Sequence, residues 1–137
     1  MPFPQVPHTK FTYRMSKDWG QLFWFDFGQA ISRQRTFAEP HPALIISDPK
    51  VTLPGTVLIV PFTSLEHKRP GYEFHVEVTK ADCVGLDNDS VAKVDQIYCV
   101  EERHLPDQYF IGTLRRSAMK RIYSKLLKAL AFQNVIG

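Results

Sequence analysis

The chain is poor in the residues that build metal centres and redox pairs. Its 137 residues include two cysteines, Cys83 and Cys99, sixteen positions apart. That spacing fits neither a zinc site nor a CxxC pair and points to two reduced thiols. No clustered His, Cys, Asp or Glu set has metal-ligand spacing, so neither a metal nor another cofactor is expected. No apolar run approaches the length that crosses a bilayer, so no membrane partner is expected either. The opening stretch MPFPQVPHTK carries three prolines and lacks the apolar core of a signal peptide. The expectation is a soluble, cytoplasmic protein. Charge of one sign is lacking too: the formal net charge of +3 permits an anionic partner without demanding one. Repeats and low-complexity tracts are absent, which excludes solenoids and linkers.

What remains is an ordinary globular composition, 44% hydrophobic and 23% charged, of a length that suits one domain with a sizeable core. Residues 1–17 read as a proline-containing N-terminal arm and 18–137 as a single domain. QLFWFDF (21–27) is a dense aromatic strand, followed by an arginine-bearing loop over 28–41. PALIISD (42–48) and TVLIVPFT (56–63) are apolar strands, with Pro61 suggesting a bulge or an edge. YEFHVEV (72–78) alternates as a half-buried antiparallel strand would. VAKVDQIYCV (91–100) reads as one bent strand or two short ones, and QYFIGTL (108–114) closes the series. The period then changes to helical over 117–133, with Ser117 as the expected N-cap. Mainly β structure with one C-terminal helix predicts a small curled sheet or barrel with the helix packed on it.

One residue is held with unusual stiffness. His41 stands between Pro40 and Pro42 at the mouth of a strand, where both prolines restrict the backbone that presents its imidazole. A lone loop histidine is ordinarily just solvated. Here proton transfer or phosphate contact is the sharper expectation. Arg33 and Arg35, upstream in the same loop, suit phosphate binding because guanidinium offers a planar fork of donors. Most of Phe23, Trp24, Phe25 and Phe27 are expected in the core, and Cys99 is expected there too. The basic helix residues Lys120, Arg121, Lys125 and Lys128 are expected to form a solvated face.

Five stretches, in order, resemble the PemK/MazF family of toxin endoribonucleases from bacterial type II toxin–antitoxin systems. They are FWFDFG (23–28), HPALIISD (41–48), LIVPFTSL (58–65), VAKVDQIYCV (91–100) and IGTL (111–114). The resemblance covers about residues 20–131 and leaves out the arm. It implies an SH3-like small β-barrel, a homodimer, that cuts single-stranded RNA without a metal and is inhibited by an antitoxin protein. His41 departs from the pattern, because the family carries arginine there, credited with contacting the scissile phosphate.

The resemblance also implies a site. Thr63 and Ser64 fall in the matched PFTS and could donate to a phosphate. Lys93 stands where some members carry a catalytic arginine and is the candidate for charge stabilisation. Asp95 and Gln96 either act as base and base-reading amide or tie adjacent loops together, and their positions do not choose. His67, in a loop that could border RNA, and His75, on the polar face of its strand, stand outside this expected set. Two alternatives keep the fold: an inactive RNA- or protein-binding module in which His41 marks lost catalysis, and a gyrase poison. The second stands last, because the chain ends FQNVIG without that relative's terminal tryptophan.

Overall fold

The computed structural model describes residues 17–30 and 40–136. It contains β1 (Gln21–Phe25), a helical turn α1 (Phe27–Ala30), β2 (His41–Ile45), β3 (Thr56–Ser64), β4 (His75–Val78), β5 (Ser90–Lys93), β6 (Tyr98–Glu101) and β7 (Phe110–Thr113). Helices α2 (Arg116–Ala129) and α3 (Phe132–Ile136) follow. The strands form one antiparallel sheet in the order β4-β5-β3-β2-β1-β7, with β6 paired to β3 off that path. The expected mainly-β fold with a C-terminal helix is thus present, but the expected barrel is not closed by a ladder. Its two ends meet at a single bridge, Cys83 with Leu114. Two glycines permit that approach: a Cβ on Gly112 would stand 2.1 Å from the Val84 carbonyl oxygen, and one on Gly85, 2.0 Å from that of Ile111.

Strands β1 to β3 are apolar on both faces because both are covered. Leu22, Leu44, Val60 and Phe62 pack with Ala118, Met119, Ile122 and Leu126 of α2. Phe23, Phe25, Ala43, Ile45 and Ile59 pack on the other side with Phe27, Val57, Val100 and Leu105. Pro61 lies in a central strand, and its pairing shows no register shift. It pairs with Ala43 of β2, at the point where the other side of β3 passes from β6 (through Ile59) to β5 (from Phe62). No ladder there needs its missing N–H.

Several expectations require correction. The strand expected over 72–78 begins only at His75, because Tyr72 and His75 donate turn hydrogen bonds to Arg69 and Tyr72 carbonyls. The 91–100 segment takes the second of its two expected forms and needs no correction: two short strands separated by a turn. Helix α2 is capped at Arg115 rather than Ser117, since the Arg115 N–H and guanidinium both bond Asp82 far away in sequence. It ends before 133, broken at Ala131, whose φ is +59°. Cys99 is exposed rather than core, because it faces outward beside half-exposed Leu58. Trp24 is only half-buried. Of the helix cations, Arg121 bonds Asp82 and both Lys125 and Lys128 bond Glu73. Lys17, read as part of the arm, is buried with its ammonium 2.6 Å from Asp107.

Candidate active site

Antiparallel pairing lays the start of β2 beside the end of β3. A cleft of about 300 Å³ opens at that corner, lined by His41 between its prolines, Trp24, Thr63, Ser64, Glu66 and His67, with the 86–90 turn as its far wall. Thr63 is buried and Ser64 exposed, as alternation at a strand end dictates. A 3-10 turn over Leu65–His67 follows at once. Such a turn eclipses residues three apart, so it folds His67 back over the strand end. Its Nδ1 lies 3.1 Å from Thr63 Oγ1 and 3.1 Å from Ser64 Oγ. With Nδ1 accepting from the hydroxyls, Nε2 carries the ring proton, and Glu66 Oε1 stands 3.6 Å from it.

Of the residues expected from the sequence, the structure brings His41, Thr63 and Ser64 together. His67 joins them, a residue that the motifs do not single out. The legible signal is its spacing, a hydroxyl at i and a histidine at i+3 across a short turn. Among the described residues no Lys or Arg lines the cleft. Arg33 and Arg35 lie outside the described residues.

Lys93, Asp95 and Gln96 are not in the cleft lining. They stand at the other end of β5, beside β4. Lys93 pairs with His75 across the ladder. Asp95 accepts from the Tyr72 hydroxyl, a bond that joins two turns. That bond raises the Tyr72 phenol above its ordinary range, with burial and the Asp95 charge adding to it. The Gln96 amide oxygen is buried, with no hydrogen-bond partner among the described residues. Sealed from solvent, it cannot touch a base in this arrangement. His75 is half-buried rather than solvated, its Nδ1 accepting the Arg69 N–H at 3.0 Å. Burial first and the Lys93 charge second lower its pKa, while Asp95 pulls the other way.

The fold is similar to that of several solved structures. An endoribonuclease from a mycobacterial species shares 21% identity at a TM-score of 0.62, covering 88% of this chain and 96% of its own. MazF from Deinococcus radiodurans shares 22% at a TM-score of 0.64, covering 88% and 99%. A mycobacterial endoribonuclease solved with its cognate antitoxin shares 23% at 0.63, covering 85% and 96%. At these identities the likeness establishes the fold. No curated protein matches the chain by sequence. Residues 18–130, however, match the family of PemK-like, MazF-like toxins of type II toxin–antitoxin systems. That match takes in both sides of the His41–His67 cleft and the helix behind it, and the chain belongs to this family of toxin endoribonucleases.

Proposed function

We propose that the chain cuts single-stranded RNA in the His41–His67 cleft without a metal. A base removes the proton from a ribose 2′-hydroxyl, and the 2′-oxygen bonds to phosphorus. The bond from phosphorus to the 5′-oxygen breaks, and an acid protonates that oxygen. The products are a 2′,3′-cyclic phosphate and a 5′-hydroxyl. His41 and His67 supply the two proton transfers, since imidazole can give or take a proton near neutral pH. Thr63 and Ser64 donate to the oxygens on which charge grows. Arg33 and Arg35, in the segment leading to Pro40, clamp the phosphate that the family's arginine would otherwise hold. Lys93, Asp95 and Gln96 take no chemical step in this scheme.

The observation that carries the reading is the pair of hydroxyls on His67 Nδ1 in the cleft that also holds His41. A 2′-hydroxyl entering there meets the ring nitrogen that the Thr63 and Ser64 hydroxyls now contact. Purified protein should cut a mixed single-stranded RNA in EDTA and leave 5′-hydroxyl ends. Activity abolished by EDTA and restored by a divalent ion would overturn the scheme.

The proposal extends to an antitoxin that covers this cleft, in a cytoplasmic homodimer. A relative's complex with its cognate antitoxin supports the first. Among the described residues no helix is long and apolar enough to cross a membrane. A sole 15.8 kDa species in sedimentation at micromolar concentration would rule out the dimer.

A further inference from the structure

A second group of side chains stands along β5 from the cleft and has no part in the chemistry above. Tyr72 and His75 meet edge to face, ring centroids 4.9 Å apart, and Phe74 meets Tyr72 in the same way at 5.6 Å. The Arg69 guanidinium lies over the Tyr72 ring at 5.6 Å. The Tyr72 hydroxyl is anchored on Asp95, and His75 Nδ1 is anchored on the Arg69 backbone. Lys93 lies directly across the ladder from His75.

The anchors fix the chemistry on offer. With Nδ1 accepting, His75 carries its proton on Nε2 and remains a donor while neutral. Burial and Lys93 favour that neutral state. The half-buried Tyr72 phenol, anchored at its hydroxyl, presents a rigid aromatic surface, with the Arg69 guanidinium over it and Lys93 across the ladder from the adjoining His75. Flat aromatic surface beside positive charge is the equipment for an unpaired nucleotide, base on the ring and phosphate on the cations. None of it is specific to protein or lipid.

Two chain paths tie this group to the cleft. Thr63 of the cleft pairs with Val91, and Lys93 lies two residues further along β5 on that same face, about 7 Å away. His67 of the cleft precedes Arg69 by two residues. One extended RNA segment can therefore lie on both.

We propose that Tyr72, His75, Arg69 and Lys93 form a nucleotide subsite that stacks one base flanking the scissile phosphate and binds its phosphate. This rests on the cleft's being the RNA-cutting site. The subsite selects among bases by stacking and by the His75 donor, which sets a preference at one position beside the cut. Asp95 acts as a positioning residue, holding the phenol ring in place.

The test is cleavage of a single-stranded RNA of randomised sequence by the full chain, with kcat, KM, cut-site preference and the salt dependence of binding measured together. Tyr72→Ala should raise KM about tenfold, the range of one lost stacking contact, with kcat within about twofold. It should also flatten base preference at one position only. Tyr72→Phe keeps the ring but loses the Asp95 anchor, so it should retain the preference in weakened form. Lys93→Gln should make the plot of log affinity against log salt shallower by about 0.7, one phosphate contact on a single strand. Should Tyr72→Ala not fold, Tyr72→Leu keeps the apolar bulk without the aromatic face, and the Lys93→Gln slope stands independently. A parent that cuts RNA while the folded Tyr72 variant keeps its KM and preference overturns the subsite alone. A parent that neither cuts nor binds single-stranded RNA overturns the cleft's function and the subsite with it.

Discussion

Asp82 and His67 each gather hydrogen-bonding groups around one titratable side chain, yet they are built in opposite ways. Asp82 is 2% exposed, and both its oxygens are taken. Arg115 bonds one; Arg121 and the Thr79 backbone and hydroxyl bond the other. Thr79 caps Asp82's own turn from three residues away, but the two arginines come from α2 and its N-cap, 33 and 39 residues on, so the carboxylate pins α2 to the turn after β4. Burial alone would push its pKa up, but the Thr79 N–H and the two guanidinium groups outweigh burial and hold it below the ordinary range. His67 is 62% exposed, and its hydroxyl partners lie three and four residues away. Nothing distant depends on them. A polar group saturated by distant partners holds the fold, whereas one that shares short-range bonds at a cleft can trade them for a ligand.

The comparison breaks if the two regions respond alike to substitution. Asp82→Ala should cost about 3 kcal/mol of stability, the low end for a broken buried ion pair, because both arginines can turn to water. Denaturant melts measure this, and activity per folded molecule should be kept. His67→Ala should do the reverse. Turnover of RNA should fall on the order of a hundredfold while the melt is unchanged. A loss of stability at His67 as large as that at Asp82 would erase the distinction.

Acid sharpens the contrast. The folded Asp82 carboxyl has a lower pKa than the unfolded chain's value near 3.8, so its contribution is fully present above that value. It is lost as pH falls through the lower, folded value. Melting temperature followed from pH 5 to pH 2 should drop more steeply in the parent than in Asp82→Ala. The smallest effect belongs to Glu73, which is half in water and pairs with Lys125 and Lys128. Glu73→Ala should leave the melting temperature unchanged within error, since exposed pairs contribute little.

Much of this was legible in the sequence where local pattern decides. The apolar runs of β1, β2 and β3, and the Met119, Ile122 and Leu126 stripe, report burial directly. The cap at Arg115 was not legible, because its partner Asp82 is 33 residues away and local capping rules do not reach it. The start of β4 shifted for a local reason that its alternating pattern hides: the Tyr72 and His75 N–H groups close turns onto the Arg69 and Tyr72 carbonyls. In the site, the PFTS motif and the prolines around His41 marked two walls of the cleft. The third, His67, depends on a 3-10 turn that composition does not announce. Lys93 and Asp95 were separated from the cleft by strand length, which no motif encodes.

Trp24 lines the cleft, while Trp19 sits at the opposite boundary, its Nε1 donating to the Tyr123 hydroxyl at 2.6 Å. These are the chain's only tryptophans. The molecule thus carries two intrinsic lamps, one beside the cleft and one on the contact between β1's approach and α2. In Trp19→Phe the remaining emission would come from the cleft alone. Occupancy by RNA or by an antitoxin could then be followed by light, in real time, without attaching a label. In Trp24→Phe the same measurement would follow the docking of the helix instead.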